Sequence, residues 1–177
     1  MNIEKPKENI SKKIINSFVG FLKQFTYKKV YVTGIIGGII GLIIALSMDL
    51  FVNFSSISNV NNDTLLKYLK EKPGIIFIFG GVIAPFYEEV IFRKLFFGIL
   101  NKKTNFYLAL IVSSLLFTLI HFQKIENTIE LITTPFYFIP GVIFALVYNH
   151  TDCILTSIIS HMIANLASFT IIYLGWL

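Results

Sequence analysis

The sequence predicts an all-α fold: a polytopic integral membrane helical bundle of about five transmembrane helices, preceded by an amphipathic N-terminal helix. The chain has 177 residues, of which 55% are hydrophobic and only 14% are charged, whereas a soluble domain carries about a quarter charged residues. Several apolar stretches approach the length of about 20 residues that a helix needs to cross a bilayer. Glu88, Glu89 and Arg93 interrupt one of them, and each charge there costs about 2.5–3.5 kcal/mol on insertion scales. These three residues therefore indicate a buried polar site rather than a lipid-facing surface.

The N-terminal segment is basic, and its apolar residues are three or four positions apart in residues 10–25. These apolar residues are Ile10, Ile14, Phe18, Leu22 and Phe25. The spacing predicts a helix that lies on an anionic membrane surface, while residues 1–9 fit a disordered basic tail nearly as well. We therefore divide the chain into a basic amphipathic segment, 1–29, and a membrane-embedded domain, 30–177.

The net charge of +5 arises mainly from lysines that precede the first apolar stretch. In a membrane protein such a segment determines topology rather than binding nucleic acid. It predicts a multi-pass protein of the cell membrane with a cytoplasmic N-terminus and a cytoplasmic turn at Lys102 and Lys103, although the lysines in loop 55–73 weaken this asymmetry. The basic lead is too long for a cleavable signal peptide. The single cysteine, Cys153, excludes an intrachain disulfide and fits plain packing.

Five apolar stretches are candidates for spans. They are residues 30–54, 74–100, 104–122, 134–148 and 153–175. The first contains Gly34, Gly37, Gly38 and Gly41, whose four-residue spacing lets another helix approach closely. Asp49 lies near the end of this stretch and is expected at the membrane interface, and Tyr173 and Trp176 are expected as interfacial anchors. The fourth stretch is short and broken by prolines, so a re-entrant segment with four spans is the alternative.

Prolines interrupt two of these stretches. Pro135 and the pair Pro140-Gly141 lie in the fourth, and Pro85 lies one turn before Glu88 in the second. A proline removes a backbone hydrogen bond, so we expect a kink at Pro85. The polar loop 55–73 contains a short amphipathic piece.

Glu89 and Arg93 are four positions apart and share a helix face, so we expect them to form an ion pair that offsets the cost of burial. Glu88 points about 100° away and has no basic partner on its own helix. A carboxylate in such a site can act as a general base. The alternative is that all three residues form one network that only locks helices together.

Three further polar residues lie at apolar depth. His121 ends the third stretch, and His161 and Asn165 share one face of the fifth. Together with Glu88, they suit peptide-bond hydrolysis, because imidazoles can hold water or a metal ion and an amide can stabilise an oxyanion. The serines fit ordinary packing, and His150 fits a solvated turn.

In order, the motifs are Glu88-Glu89-x-x-x-Arg93, Phe117-x-x-x-His121 and His161-x-x-x-Asn165. This order resembles the CPBP family of CAAX proteases and bacteriocin-processing enzymes, also called ABI proteins. The resemblance covers residues 74–175. It implies an all-helical intramembrane endopeptidase that acts on a peptide or protein in or at the membrane, with type II prenyl-protein proteases as eukaryotic relatives. In a bacterium it favours peptide leaders, pheromones or membrane-protein tails as substrates rather than prenylated proteins.

Carried over by position, the resemblance makes Glu88 the residue that activates water. His121, His161 and Asn165 would form an oxyanion site or hold a divalent metal ion such as zinc, and Glu89 and Arg93 would support them. Two imidazoles and an amide are an unusual zinc set, so water held without metal stays open.

Two other classes of function are compatible with these residues. A non-catalytic scaffold or immunity protein of the same family would bind a membrane partner without cleaving it. A proton- or ion-coupled carrier would use the buried carboxylates as a relay, but no inverted repeat is visible. One difficulty faces the protease hypothesis: His121 and His161 are estimated at about 25 Å and about 12 Å along their spans, so they meet only if helices tilt. The sequence does not indicate an oligomeric state.

Overall fold

The computed structural model describes residues 10–55, 60–122 and 128–175. This part of the chain contains helices and no strand, which confirms the predicted all-α fold. The helices are α1 Ile10–Gln24, α2 Lys28–Ser55, α3 Val60–Glu71, α4 Pro73–Lys103, α5 Phe106–Leu119, α6 Thr128–Thr151 and α7 Ile154–Tyr173. The predicted tail at residues 1–9 and the predicted anchor Trp176 lie outside the described residues.

Within the described ranges, four helices are long and apolar enough to cross a membrane. The spans are Lys28–Val52, Pro73–Lys103, Leu131–Thr151 and Ile154–Tyr173. Helix α5 is apolar but has 14 residues, which is short for a perpendicular crossing. The bundle therefore has four to five membrane-spanning helices, as the hydropathy pattern predicts.

Helix α1 is present where the apolar spacing predicts it. None of its residues is buried, and Ile10, Ile14 and Phe18 are exposed. Phe21, near its end, packs against the buried cluster that contains Val30. The helix is thus attached to the bundle at one end and presents an apolar face, although its binding to a membrane surface stays a prediction.

The glycines of α2 allow α7 to pack directly against its backbone. A Cβ atom on Gly34 would lie 2.9 Å from Ile159 Cγ2, and one on Gly38 would lie 2.6 Å from Ile163 Cβ. The Ser160 hydroxyl donates a hydrogen bond of 3.0 Å to the Gly34 carbonyl. The sequence predicts a close helix approach at these glycines, and the structure identifies α7 as the partner.

Helix α6 corrects the prediction of a short, broken fourth span. It is one helix of 24 residues that contains both Pro135 and Pro140. Membrane helices tolerate proline because neighbouring groups satisfy the freed carbonyls. The re-entrant alternative for residues 134–148 is therefore wrong.

Helix α4 is also continuous, and it contains two π-helical segments, Ile76–Ile83 and Val90–Phe97. The first ends just before Pro85. Because proline lacks an N–H group and crowds the carbonyl four residues earlier, the wider π turns accommodate it. The six α-helical residues between the π segments, Ala84–Glu89, carry the glutamates.

Successive spans run in opposite directions, and contacts between them define two ends of the bundle. Lys29 Nζ donates a hydrogen bond of 2.8 Å to the His150 carbonyl, and the rings of Phe97 and Tyr148 are 6.0 Å apart. The beginnings of α2, α5 and α7 and the ends of α4 and α6 thus lie together; we call this the basic end. The opposite end, which carries α3, is the far end.

Candidate active site

A cavity of about 300 Å³ lies among the spans, and α3 contributes Leu65 to its lining. Most of its walls are apolar. Its polar lining consists of Asp49, Glu88, Tyr137, His121, His161, Asn165 and Ser168. The structure therefore brings Glu88, both predicted histidines and the predicted asparagine to one space, and the estimated mismatch in depth does not prevent their convergence.

The adjacent glutamates of α4 occupy different environments. The Glu88 side chain is 20% exposed and lines the cavity, whereas the Glu89 side chain is fully buried. Glu88 Oε2 is buried without a hydrogen-bond partner among the described residues. Buried polar atoms of this kind normally bind an ordered water or a ligand, so this oxygen is free for chemistry in the cavity.

Glu89 connects two buried partners. Its Oε2 atom lies 3.1 Å from Arg93 Nε, which confirms the predicted i,i+4 pair by distance, although the angle is not that of a hydrogen bond. Its Oε1 atom lies 2.9 Å from His161 Nδ1. Arg93 Nη2 donates a hydrogen bond of 3.1 Å to the Gly141 carbonyl. Glu89 and Arg93 thus connect α4 to α7 and α6, and spacing within the sequence does not reveal these contacts.

Two groups fix the orientation of His161. If Nδ1 carries the proton, it donates to the Glu89 carboxylate, and the Nε2 lone pair faces the cavity. The ring stacks on Phe144 with centroids 4.7 Å apart and an angle of 23° between the planes. Nε2 lies 3.9 Å from Glu88 Oε2, which is too long for a direct hydrogen bond but leaves both atoms able to contact a third group.

His121 lies in the turn that follows α5 rather than within the span. Its Nδ1 atom is 3.0 Å from the Phe117 carbonyl, so Nδ1–H donates and Nε2 is left as an acceptor. Its ring stacks on Tyr137 with centroids 4.7 Å apart. Phe117 itself contacts the His121 and His161 rings and lies under the Arg93 guanidinium at 4.4 Å. The spacing from Phe117 to His121 therefore reflects both a backbone hydrogen bond and a ring contact.

Asn165 lies one turn after His161 and also lines the cavity. Its Nδ2 atom donates a hydrogen bond of 3.0 Å to the Gly80 carbonyl. This bond commits one amide hydrogen to the contact between α7 and α4 and orients the side chain. The second hydrogen of the same amide is the one that can reach a substrate oxygen.

The polar side chains of the cavity are an unusual ligand set for a divalent metal ion. In the described ranges, no three His, Cys, Asp or Glu side chains lie close enough together to hold a metal ion. His121, His161 and Asn165 provide two imidazoles and an amide, which falls short of the ligand sets that zinc usually takes. The metal ion therefore stays a prediction from the resemblance.

Sequence analysis missed two residues of this site. Asp49, expected at the interface, is mostly buried and lines the cavity; its position inside an apolar stretch was the available signal. Phe144 stacks on His161 and packs near Arg93, and nothing in its local sequence distinguishes it from other core phenylalanines.

The residues interpreted as packing groups are in packing positions. Cys153 is buried beside Val30 and Leu155, and burial, followed by the charge of Asp152, raises the pKa of its thiol. Ser160 is fully buried and bonds to backbone carbonyls. A nucleophilic thiolate would need an exposed, electropositive setting, so the structure does not favour Cys153 as a nucleophile.

Comparisons with known proteins identify a family and two relatives that are similar to the chain. The sequence profile of the type II CAAX prenyl endopeptidase Rce1-like family matches residues 70–167, more than half of the chain. The chain is 30% identical over 159 residues to YdiL of Bacillus subtilis (strain 168), a candidate membrane peptidase, and the match covers 90% of this chain and 56% of YdiL. It is 38% identical over 119 residues to the membrane-embedded CAAX protease MroQ of Staphylococcus aureus (strain USA300), covering 64% of this chain and 44% of MroQ.

The chain therefore spans about half the length of the curated relatives that it matches. No solved structure matches it at a significant level.

Proposed function

The chain belongs to the type II CAAX prenyl endopeptidase Rce1-like family, and we propose that it cleaves a peptide bond of a membrane-associated peptide or protein with a water molecule activated by Glu88. The observation that carries the proposal is the buried Glu88 Oε2 atom, which lies 3.9 Å from His161 Nε2 and has no hydrogen-bond partner in the described part of the chain. Two acceptors that face each other in this way can both bind one water molecule.

The proposed reaction begins with this water. Glu88 takes a proton from it while its oxygen forms a bond to the scissile carbonyl carbon. The tetrahedral intermediate then breaks its carbon–nitrogen bond, and the proton passes from Glu88 to the leaving nitrogen. The products are a carboxylic acid and an amine, and Glu88 returns to its ionised form.

The remaining polar residues have positioning and stabilising roles in this proposal. Glu89 holds His161 with Nε2 directed at the water, and Arg93 balances the buried charge of Glu89. The second amide hydrogen of Asn165 donates to the developing oxyanion. His121, oriented by the Phe117 carbonyl, accepts a hydrogen bond from the substrate amide.

The proposal is tested with Glu88→Gln, which keeps the shape of the side chain and removes the base. Native and variant chains are produced in the same cells, their membrane abundance is measured by immunoblot, and the N-termini of membrane peptides are compared by mass spectrometry. We expect a set of N-termini that is present with the native chain and reduced at least a hundredfold with Glu88→Gln, as general-base catalysis contributes about 10²–10⁴-fold.

Glu71→Gln is the matched control, because Glu71 is exposed at the end of α3 and does not line the cavity. It should leave the set of N-termini unchanged. Identical N-termini from the native chain and Glu88→Gln, at equal abundance, would overturn the protease proposal and favour a scaffold.

The metal prediction is tested on purified native and His161→Ala chains. It requires one divalent ion per native chain and less than one per His161→Ala chain.

A further inference from the structure

The cavity occupies the far half of the bundle. Its lining from α2 comes from the second half of that helix, Gly41 to Asp49, and its lining from α6 comes from the middle of that helix, Phe136 to Phe144. Helix α7 contributes residues from His161 to Ile172. Because α2 and α7 both run from the basic end to the far end, their lining residues place most of the cavity between the middle of the bundle and the far end.

Helix α3 lies at the far end of the cavity. It connects the far ends of α2 and α4, and its Leu65 side chain is part of the cavity lining. At the basic end, the nearest lining residues, Phe144 and His161, are each seven positions from the end of their helix, or about 10 Å of helix. Helix α2 packs against α7 through Gly34 and Gly38 on this side, so the cavity is closed toward the basic end.

The positive charge of the described residues is concentrated at the basic end, toward which the cavity is closed. Seven lysines lie there: Lys12, Lys13, Lys23, Lys28, Lys29, Lys102 and Lys103. Three lie at the far end: Lys67, Lys70 and Lys72. Lysine and arginine near the ends of spans determine topology, and the richer side stays in the cytoplasm.

We propose that the cavity opens on the extracytoplasmic face, so that the substrates are extracytoplasmic segments of membrane-anchored peptides or proteins. The assignment of a substrate class rests on the proposed function, whereas the direction in which the cavity opens does not. Glu88 is the midpoint of the 31-residue helix α4, about 20 Å from its far end. A substrate must therefore enter with about six extended residues to reach it.

The direction of opening is tested by labelling, since Cys153 is the single cysteine of the chain. In a Cys153→Ser background, Lys67→Cys reports on the far end and Lys102→Cys on the basic end. Intact cells are treated with a membrane-impermeant maleimide, before and after permeabilisation. We expect at least tenfold more labelling of Lys67→Cys than of Lys102→Cys in intact cells, and equal labelling after permeabilisation. The reverse pattern would overturn the inference.

A second measurement covers the case in which a cysteine variant fails to accumulate. Alkaline phosphatase, which is active only outside the cytoplasm, is fused after Gly175 at the far end of α7. An active fusion is expected, and an inactive fusion of normal abundance contradicts the inference.

Neither measurement of orientation depends on catalysis. A failure of Glu88→Gln to change the N-termini would therefore overturn the proposed function and leave the orientation result unaffected. Where cleavage does occur, Glu88-dependent sites in cytoplasmic tails would contradict the substrate class.

Discussion

The two halves of the α2–α7 pair differ in how closely the helices pack. In the basic half, Gly34 and Gly38 leave no room for a side chain between the helices. In the far half, the same two helices contribute Asp49 and Asn165 to the wall of the cavity. Small residues thus bring the two helices into direct contact in the basic half, and larger polar side chains line the space between helices in the far half.

Glu88 and Glu89 lie at the boundary between packed core and cavity. They are identical and adjacent, yet one lines the cavity and the other is fully buried against Arg93 and His161. The difference follows from the rotation of about 100° per residue in a helix. We therefore expect changes on the packed side to reduce stability and changes on the cavity side to reduce activity.

The largest loss of stability is expected for Arg93→Ala. It leaves the Glu89 carboxylate buried without its cation, and breaking a buried ion pair costs about 3–5 kcal/mol. Membrane abundance and thermal stability in detergent should both fall. Lys94→Ala, at the exposed neighbouring position, is the control and should accumulate normally. Equal abundance of the Arg93→Ala chain would refute the structural role of the pair.

The next largest effect is expected for Glu89→Gln. The amide keeps the shape but loses the charge that binds Arg93 and His161, and hydrogen bonds to charged groups contribute about 1.5–3 kcal/mol. The matched comparison is Glu88→Gln, the same change one residue earlier, which should leave thermal stability unchanged. If both variants melt at the same temperature, the distinction between the two environments is wrong.

A smaller loss, about 1–3 kcal/mol, is expected for Gly38→Ala, because overpacking forces helices apart. The added Cβ would lie 2.6 Å from Ile163 Cβ, which cannot rotate away. Gly20→Ala adds the same group to α1, where nothing lies within 4 Å, and should not destabilise the chain. Thermal unfolding of both variants measures the difference, and a stable Gly38→Ala chain would show that the interface is looser than described.

The smallest effect is expected for Phe144→Leu, which removes the ring that stacks on His161. Aromatic stacking contributes about 0.5–1.5 kcal/mol beyond burial. Phe136→Leu is the matched control, because it makes the same change in the same helix but the Phe136 ring contacts Phe51 rather than His161. We expect the pH profile of cleavage to change in Phe144→Leu and not in Phe136→Leu. Matching profiles would mean that the stacking does not influence His161.

The sequence alone predicted the spans, the glycine face of α2 and the Glu89–Arg93 pair. Hydropathy and helical spacing are local properties of the sequence. They are especially informative in a membrane protein, because each span must satisfy its own backbone hydrogen bonds. The motifs also identified Glu88, His121, His161 and Asn165, which line the cavity, and the roles of these residues in catalysis stay a prediction.

Only the tertiary structure decided which residues meet across helices. In this structure Glu89 contacts His161, Asp49 lines the cavity, and α6 continues through Pro135 and Pro140. These features depend on contacts between residues far apart in the chain, and spacing within one helix carries no information about the neighbouring helix. Whether a proline breaks a membrane helix likewise depends on neighbouring groups that satisfy the freed carbonyls, and these come from other parts of the chain.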